Sequence, residues 1–199
     1  MENSVDEILK QIKEEVINLK ESPLYSIRVQ NKVFPVIGEG NHQAKIMFIG
    51  EAPGKNEALT GRPFCGAAGR ILTEMLDSIG LDRKDVYITN IVKDRPPDNR
   101  DPMPNEIALY APFLDRQIDA IKPKVIATLG RFSMAYIMER LGLKDSLSSI
   151  SQMHGKTFGA KSTFGEVKIV PLYHPAVALY QNSLKKDLFE DFKAIKNLI

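Results

Sequence analysis

The chain has 199 residues, of which 43% are hydrophobic and 26% are charged, and its formal net charge is +2. This composition predicts one globular domain over residues 1–199. No apolar run is long enough to span a bilayer, so we expect no membrane among its partners. A single cysteine excludes a disulfide framework, and the polar, acidic start lacks a secretory signal pattern, so we expect a cytoplasmic protein.

Hydrophobic periodicity predicts an N-terminal helix followed by alternating strands and helices. Residues 1–20 repeat apolar side chains at helical spacing, and residues 21–43 are expected to form an irregular arm. Four apolar runs are predicted as strands, at residues 45–49, 86–91, 124–129 and 167–172. Helices are predicted at residues 69–79, 105–121, 132–141 and 184–198. Strands that alternate with helices predict an α/β fold with a mostly parallel sheet of four strands.

The first predicted strand ends in the turn Gly50-Glu51-Ala52-Pro53-Gly54. Ligands of open α/β sheets bind outside the carboxyl ends of the strands, so Glu51 is expected at the edge of such a crevice. The glycines and the proline allow backbone N–H groups to approach a ligand closely. Phe64 follows between further glycines, which is typical of a platform for a flat ligand. The turn by itself fits an ordinary strand-to-helix connection equally well.

Two more polar residues lie at predicted strand ends. Asn90 ends the second strand, and its amide can recognise a donor–acceptor edge such as that of a pyrimidine, although a lone Asn also commonly forms turns. His174 ends the last strand and is followed by Pro175, a position that favours a site role over that of a core histidine. The sequence contains no Ser-His-Asp or Cys-His arrangement, zinc-binding set or P-loop.

Cations are concentrated after the second and third predicted strands. A proline-rich loop carries three of them and a helix start carries the fourth, where unpaired N–H groups favour anions. Such residues can bind phosphates, or they can form only a solvated surface. The candidate phosphate-binding residues are Lys93, Arg95, Arg100 and Arg131.

Taken together, these motifs resemble the uracil-DNA glycosylase superfamily, specifically the family-4 enzymes of bacteria and archaea. The resemblance extends from about Ser22 to the C-terminus and implies a three-layer α/β/α fold. It also implies a monomer that acts on uracil-containing DNA, single- or double-stranded, by flipping uracil out and hydrolysing its N-glycosidic bond. The motifs, in order, are Gly50-Glu51-Ala52-Pro53-Gly54, Gly61-Arg62-Pro63-Phe64, Thr89-Asn90, Arg95-Pro96-Pro97 with Asn99-Arg100, and His174-Pro175-Ala176.

The resemblance also implies roles for individual residues. Phe64 would stack on the flipped base, and Asn90 would pair with O4 and N3–H of uracil. His174 would donate a hydrogen bond to O2 of the leaving base, and Glu51 would orient a water or stabilise the sugar cation. The backbone of residues 50–54 would contact the base as well.

One departure from the family pattern concerns its cofactor. Family-4 enzymes carry a four-iron, four-sulfur cluster on four cysteines, and thiolates are the ligands of such clusters. No cysteine occupies the matching positions, and Cys65 lies elsewhere, so we expect no cofactor and no metal. Without a cluster, other contacts must connect the irregular arm to the arginine-containing loop. Apolar packing and an ion pair could provide this structural staple. The matching positions hold Leu19, Ser22, Asp94 and Tyr110.

Three alternatives to a uracil-DNA glycosylase are a module that binds damaged DNA without cleavage, a glycosylase for hypoxanthine or xanthine, and a nucleotide-binding α/β protein. The sequence contains no Gly-x-Gly-x-x-Gly or Walker pattern, which argues against the nucleotide-binding protein. The combination of Glu51, Phe64, Asn90 and His174 favours an enzyme over a binding module, whereas purine bases remain open.

Overall fold

A computed structural model describes residues 4–198. No helix in this part of the chain is long and apolar enough to cross a membrane. The helices are α1 Val5–Ile17, α2 Pro23–Asn31, α3 Lys55–Thr60, α4 Ala67–Ser78, α5 Pro104–Ile121, α6 Arg131–Arg140, α7 Ile150–Met153, α8 Val177–Tyr180 and α9 Lys185–Lys196. The strands are β1 Glu39–Gly40, β2 Ile46–Gly50, β3 Tyr87–Asn90, β4 Val125–Leu129, β5 Phe158–Ser162 and β6 Gly165–Leu172.

The described residues form one mixed sheet in the order β1-β3-β2-β4-β6-β5. The four central strands are parallel and correspond to the four predicted ones. Two antiparallel edge strands, β1 and β5, correct the prediction of a four-stranded sheet to six strands. Sequence periodicity missed them because β1 has only two residues and β5 alternates half-buried with exposed positions.

Helices cover both faces of the sheet, which gives the three layers expected from the resemblance. The first core packs α1, α2, α5 and α6 against one face, with Met47 and Ile126 among its buried side chains. The second core packs α4 and α9 against the other face, with Phe48 and Ala127 buried there. Neighbouring residues of one strand therefore enter different cores, as side chains of a strand alternate between faces.

The N-terminal part differs from the prediction in one element. Helix α1 begins with a capping box in which the Ser4 hydroxyl and the Glu7 carboxylate each accept a backbone N–H. The expected irregular arm of residues 21–43 instead contains α2. Ser22 caps that helix, Pro23 occupies its first turn, and Lys32 ends it in a left-handed conformation with φ of 52°. The start signal was present, but the prolines nearby suggested an irregular segment.

Candidate active site

The carboxyl ends of the central strands surround a cavity of about 470 Å³, which is in the usual range for small-molecule sites. Glu51 follows β2, Asn90 ends β3 and His174 follows β6, and all three side chains line the cavity together with Phe64. The structure therefore brings together the four residues that the sequence selected from separate motifs. The backbone segment Ala52–Pro53–Gly54 lines the same cavity.

Gly50 and Asn90 are register partners at the ends of adjacent parallel strands. A Cβ atom on residue 50 would lie 2.7 Å from Cζ of Phe64 and would overlap the Asn90 side chain. Glycine at position 50 thus allows the aromatic ring and the amide to approach the strand end closely. This contact explains why the motif begins with glycine.

Asn90 is almost completely buried, yet its Oδ1 atom has no hydrogen-bond donor within residues 4–198. A buried polar atom without a partner costs about 1–3 kcal/mol, so each such atom in a native structure calls for an explanation. Asn90 lines the cavity, so its buried amide lies beside the space that a ligand would occupy.

Phe64 lies at the wall of the cavity in a strained backbone conformation. Its φ is 47°, which is unusual for a bulky side chain, and its ring centroid lies 5.6 Å from that of His174. Two side chains hold the loop. Glu57 accepts the N–H groups of Cys65 and Gly66 at 3.1 and 3.0 Å, and Arg83 donates to the carbonyl oxygens of Pro63 and Phe64 at 2.9 and 3.2 Å.

Glu57 and Arg83 were not selected from the sequence. Glu57 belongs to α3, a short helix in a segment for which no helix is predicted, and it also lines the cavity. Arg83 lies in the 3₁₀ turn before β3 and is half-buried. The acidic residue three positions after Gly54 is a helix-start signal that could have indicated α3. Nothing in the sequence indicates that Arg83 faces the Phe64 loop.

The carboxylate of Glu51 lies at the N-terminus of α6. Its Oε1 atom accepts the backbone N–H of Phe132 at 3.2 Å, a position that stabilises a negative charge. Burial nevertheless raises the pKa of Glu51 above its ordinary value, and the hydrogen bond from Phe132 reduces this rise only in part. The site therefore contains a desolvated carboxylate.

His174 is half-buried, and its Nδ1 atom accepts the backbone N–H of Ala176 at 3.2 Å. This contact leaves the ring proton on Nε2, so the imidazole can donate from that atom. Burial lowers the pKa of His174 to about 4, and Glu57 opposes this shift weakly. His174 is thus a neutral hydrogen-bond donor at neutral pH.

The structure separates the four candidate phosphate-binding residues. Arg100 lines the cavity and forms a bidentate pair with Glu106 at 2.9 and 2.5 Å. Arg131 is 65% exposed and donates to Asp101, which also lines the cavity. Arg95 lies in an adjoining depression, where its Nε atom donates to Asn99 at 2.7 Å.

The prediction that Lys93 contacts phosphate is wrong. Its side chain is fully buried, and Nζ donates to Thr89 Oγ1, Asn90 O and Gln117 Oε1 at 2.8, 2.6 and 2.6 Å. The ammonium group therefore cannot reach a DNA backbone. It lies beneath the end of β3 instead of on the surface.

The four residues that the family resemblance matches to cluster ligands do not fit an iron–sulfur cluster, since none supplies a thiolate. Tyr110 Oη lies 2.6 Å from Asp94 Oδ2 and 2.9 Å from Ser22 Oγ, and all three residues are buried. Leu19 packs against the first core. Within residues 4–198, no group of three or more His, Cys, Asp or Glu side chains is arranged to hold a metal ion.

Arg28 connects this group to the N-terminal helix. Its guanidinium lies 3.1 Å from the Asp94 carboxylate and donates to the carbonyl oxygens of Val16 and Ile17 at 3.1 and 2.5 Å. Burial raises the pKa of Asp94, while Tyr110 and Arg28 oppose the rise. The buried network of Ser22, Arg28, Asp94 and Tyr110 joins α1, α2, α5 and the loop after β3.

The chain is similar in sequence to known proteins. A model of the Uracil DNA glycosylase superfamily matches residues 37–195. The chain is 51% identical over 191 residues to a Type-4 uracil-DNA glycosylase of Sulfurisphaera tokodaii. This match covers 96% of this chain and 84% of the relative. The Type-4 uracil-DNA glycosylases of Archaeoglobus fulgidus and Thermotoga maritima are 44% and 38% identical, over 98% of this chain and 93% and 96% of their own lengths.

Proposed function

The chain belongs to the uracil-DNA glycosylase superfamily, and we propose that its cavity excises uracil from DNA in base excision repair. The reaction is the hydrolysis of an N-glycosidic bond, which releases free uracil and leaves an abasic site. A base inside a duplex cannot reach such a cavity, so the nucleotide must be extruded at a cost of a few kcal/mol. The substrate is DNA, single- or double-stranded, and the enzyme acts as a monomer inside the cell.

The unpartnered Oδ1 atom of Asn90 is the observation that carries this proposal. Uracil presents an N3–H donor beside the O4 acceptor, and the Asn90 amide offers the complementary acceptor and donor. Cytosine presents a bare N3 and an N4 amino group, so a fixed amide opposes it at both positions. A buried mismatch of hydrogen bonds gives strong discrimination between bases.

Phe64 provides a stacking surface for the flipped base. Its ring is held at the cavity wall by the loop contacts of Glu57 and Arg83. Stacking of a base on an aromatic ring contributes about 1–3 kcal/mol. The strained φ of this residue, at 47°, is consistent with a position fixed for ligand binding.

His174 stabilises the leaving uracil. When the bond between C1′ and N1 breaks, its electron pair moves to the base, and the negative charge extends to O2. The Nε2–H group of a neutral His174 donates to this oxygen, an interaction that becomes strong only in the transition state. The ring remains neutral during this step, so the proton that uracil finally takes up comes from solvent.

Glu51 acts on the sugar. Its carboxylate stabilises the positive charge that develops at C1′ and accepts a proton from the water that attacks this carbon. The backbone N–H of Phe132 keeps the carboxylate in place at the start of α6. Desolvation makes the carboxylate a stronger base than one in water, as its raised pKa indicates.

Arg100, Arg131 and Arg95 bind the DNA phosphates near the cavity. Arg131 is mostly exposed, and an exposed ion pair such as that with Asp101 contributes little to stability, so a phosphate can replace the carboxylate. The arginines then fix the register of the strand without reading its sequence. Because counterions are released, affinity is expected to fall steeply with salt concentration.

The enzyme works without an iron–sulfur cluster. The network of Ser22, Arg28, Asp94 and Tyr110 connects the segments that a cluster would join in its family-4 relatives. Its oxygen and guanidinium groups satisfy one another by hydrogen bonding and leave no thiolate for iron. The cofactor is therefore replaced by a polar staple made of ordinary side chains.

A product assay tests this function. Labelled oligonucleotides that carry uracil, hypoxanthine, xanthine or thymine at one position are incubated with the protein, and both free base and alkali-sensitive sites are measured. We expect release of uracil only. Binding without base release would identify a damage-binding module, and preferential release of hypoxanthine or xanthine would identify a glycosylase for other deaminated bases.

A further inference from the structure

We infer that Lys93 is a positioning residue for Asn90, an inference that rests on the proposed function. Lys93 is 0% exposed, and its Nζ atom donates to the main-chain carbonyl of Asn90 at 2.6 Å. It is the third residue after Asn90, so its side chain folds back beneath the end of β3. Because the side chain is buried, a substrate cannot touch it there, and any effect on catalysis must be indirect.

The contacts of Lys93 match an ammonium group. Three N–H groups meet three oxygens, those of Thr89, Asn90 and Gln117, and none of these partners is a carboxylate. Burial of a cation without a counter-ion is costly, and it lowers the pKa of Lys93 well below its ordinary value. An apolar side chain would avoid this cost, so a lysine at this position indicates that its three hydrogen bonds matter.

The partners of Lys93 are themselves fixed. Thr89 Oγ1 donates to the carbonyl of Ile37 at 2.7 Å, and Gln117 Nε2 donates to the same carbonyl at 3.0 Å and to Tyr87 Oη at 3.1 Å. These hydrogen bonds connect the segment before β1, the end of β3 and helix α5. Lys93 lies at the centre of this network.

This arrangement matters because the Asn90 amide has little else to orient it. Its Oδ1 atom has no donor within the described residues, so the position of the amide depends on its main chain and on packing against Phe64 and Gly50. A displacement of about 1 Å in a binding group can reduce a reaction rate by about 10²-fold. Lys93 limits such a displacement at the main-chain carbonyl.

A double-mutant cycle tests the inference. Lys93→Met removes all three donors at nearly unchanged length, and it should slow single-turnover excision of uracil by about 10–100-fold. Affinity for DNA that carries an uncleavable uracil analogue should change by less than about threefold, because the phosphate contacts remain. In a protein that already carries Asn90→Ala, Lys93→Met should lower the single-turnover rate by less than about threefold, because the residue that Lys93 positions is already lost.

Thr128→Val is the matched control. Thr128 is fully buried in β4, and its hydroxyl has no partner within residues 4–198, so the change also replaces a buried polar group in the central sheet. This variant should retain the wild-type rate. If Lys93→Met does not fold, as thermal unfolding would reveal, Lys93→Gln retains an amide donor and enters the same cycle.

The outcomes are distinct. Losses that multiply in the double variant would overturn the inference, because Lys93 would then act independently of Asn90. A full rate in a folded Lys93→Met protein would also overturn it. Failure of the wild-type protein to release uracil would instead refute the proposed function, and this inference with it.

Discussion

The backbone N–H of Ala176 donates to Nδ1 of His174 across 3.2 Å, and this one contact sets the tautomer of the imidazole. The proton stays on Nε2, and burial keeps the ring neutral by lowering its pKa to about 4. Between about pH 6.5 and 4, His174 is therefore protonated in the unfolded chain but not in the folded chain. As the pH falls through this range, His174 lowers the free energy of unfolding. At neutral pH the ring is a neutral donor, which suits a leaving group that becomes an anion.

His174→Ala should therefore slow single-turnover excision of uracil by about 10²–10³-fold, the usual effect of removing one oxyanion-type donor. Binding of DNA with an uncleavable uracil analogue should weaken much less, with the same dependence on salt as in the wild type. His154→Ala is the control, because His154 pairs with Asp191 and is not among the cavity residues. Equal losses of rate and affinity in His174→Ala would identify His174 as a docking residue.

Asn90→Asp should impair uracil excision, because a carboxylate presents an acceptor where O4 of uracil needs a donor. The same change should create some activity on cytosine, whose N4 amino group can donate to the new acceptor. Both rates are measured on oligonucleotides that differ only in the target base. Unchanged uracil kinetics would show that Asn90 does not read the base.

Glu51→Gln should reduce the rate by about 10²–10⁴-fold and yet stabilise the protein at pH 7. Burial raises the pKa of Glu51, so the folded chain holds this proton to a higher pH than the unfolded chain does. The carboxyl group therefore favours folding below its unfolded pKa, and this advantage disappears as the pH rises through the folded pKa. At pH 7 the buried charge is a cost that glutamine removes.

The pH dependence of the rate gives a second test of Glu51. The wild-type rate should rise with pH through the raised pKa of the carboxyl group, since only the ionised form accepts a proton. This limb should be absent from the residual activity of Glu51→Gln. An unfolding midpoint at pH 7 that falls in this variant would contradict the assignment of a destabilising buried charge.

The purified protein should be colourless and should contain neither stoichiometric iron nor acid-labile sulfide. The reason is that Ser22, Asp94 and Tyr110 use their oxygen atoms in hydrogen bonds with one another, and Leu19 has no ligand atom. Metal analysis and visible absorption of protein prepared without oxygen provide the measurement. Four irons per chain would refute the polar staple.

Asp94→Asn should lower the free energy of unfolding by about 3–5 kcal/mol, because it leaves the buried guanidinium of Arg28 without a counter-charge. Glu190→Gln is the control, since it removes a carboxylate from an exposed pair with Lys193 and should leave the unfolding midpoint unchanged. Denaturant unfolding measures both variants. A loss in Asp94→Asn no larger than in the control would show that the network is not a staple.

Much of the site could be predicted from the sequence. Buried parallel strands are continuous apolar runs, and a polar residue directly after such a run must emerge at the carboxyl edge of the sheet. That reasoning, together with the family resemblance, selected Glu51, Asn90 and His174, and the cavity contains all three. The central four strands were predicted for the same reason.

Only the tertiary structure decided which charged side chains are buried and which reach the surface. Lys93 and Arg95 lie two residues apart in one cationic loop, but one is fully buried and the other reaches the surface. The difference arises because Gln117, 24 residues further along the chain, supplies an acceptor beneath β3 for one of them. The hydrogen bonds by which Glu57 and Arg83 hold the Phe64 loop could not be predicted from the sequence either. Sequence patterns record which residues are apolar, whereas the partner of a buried charge depends on contacts between distant segments.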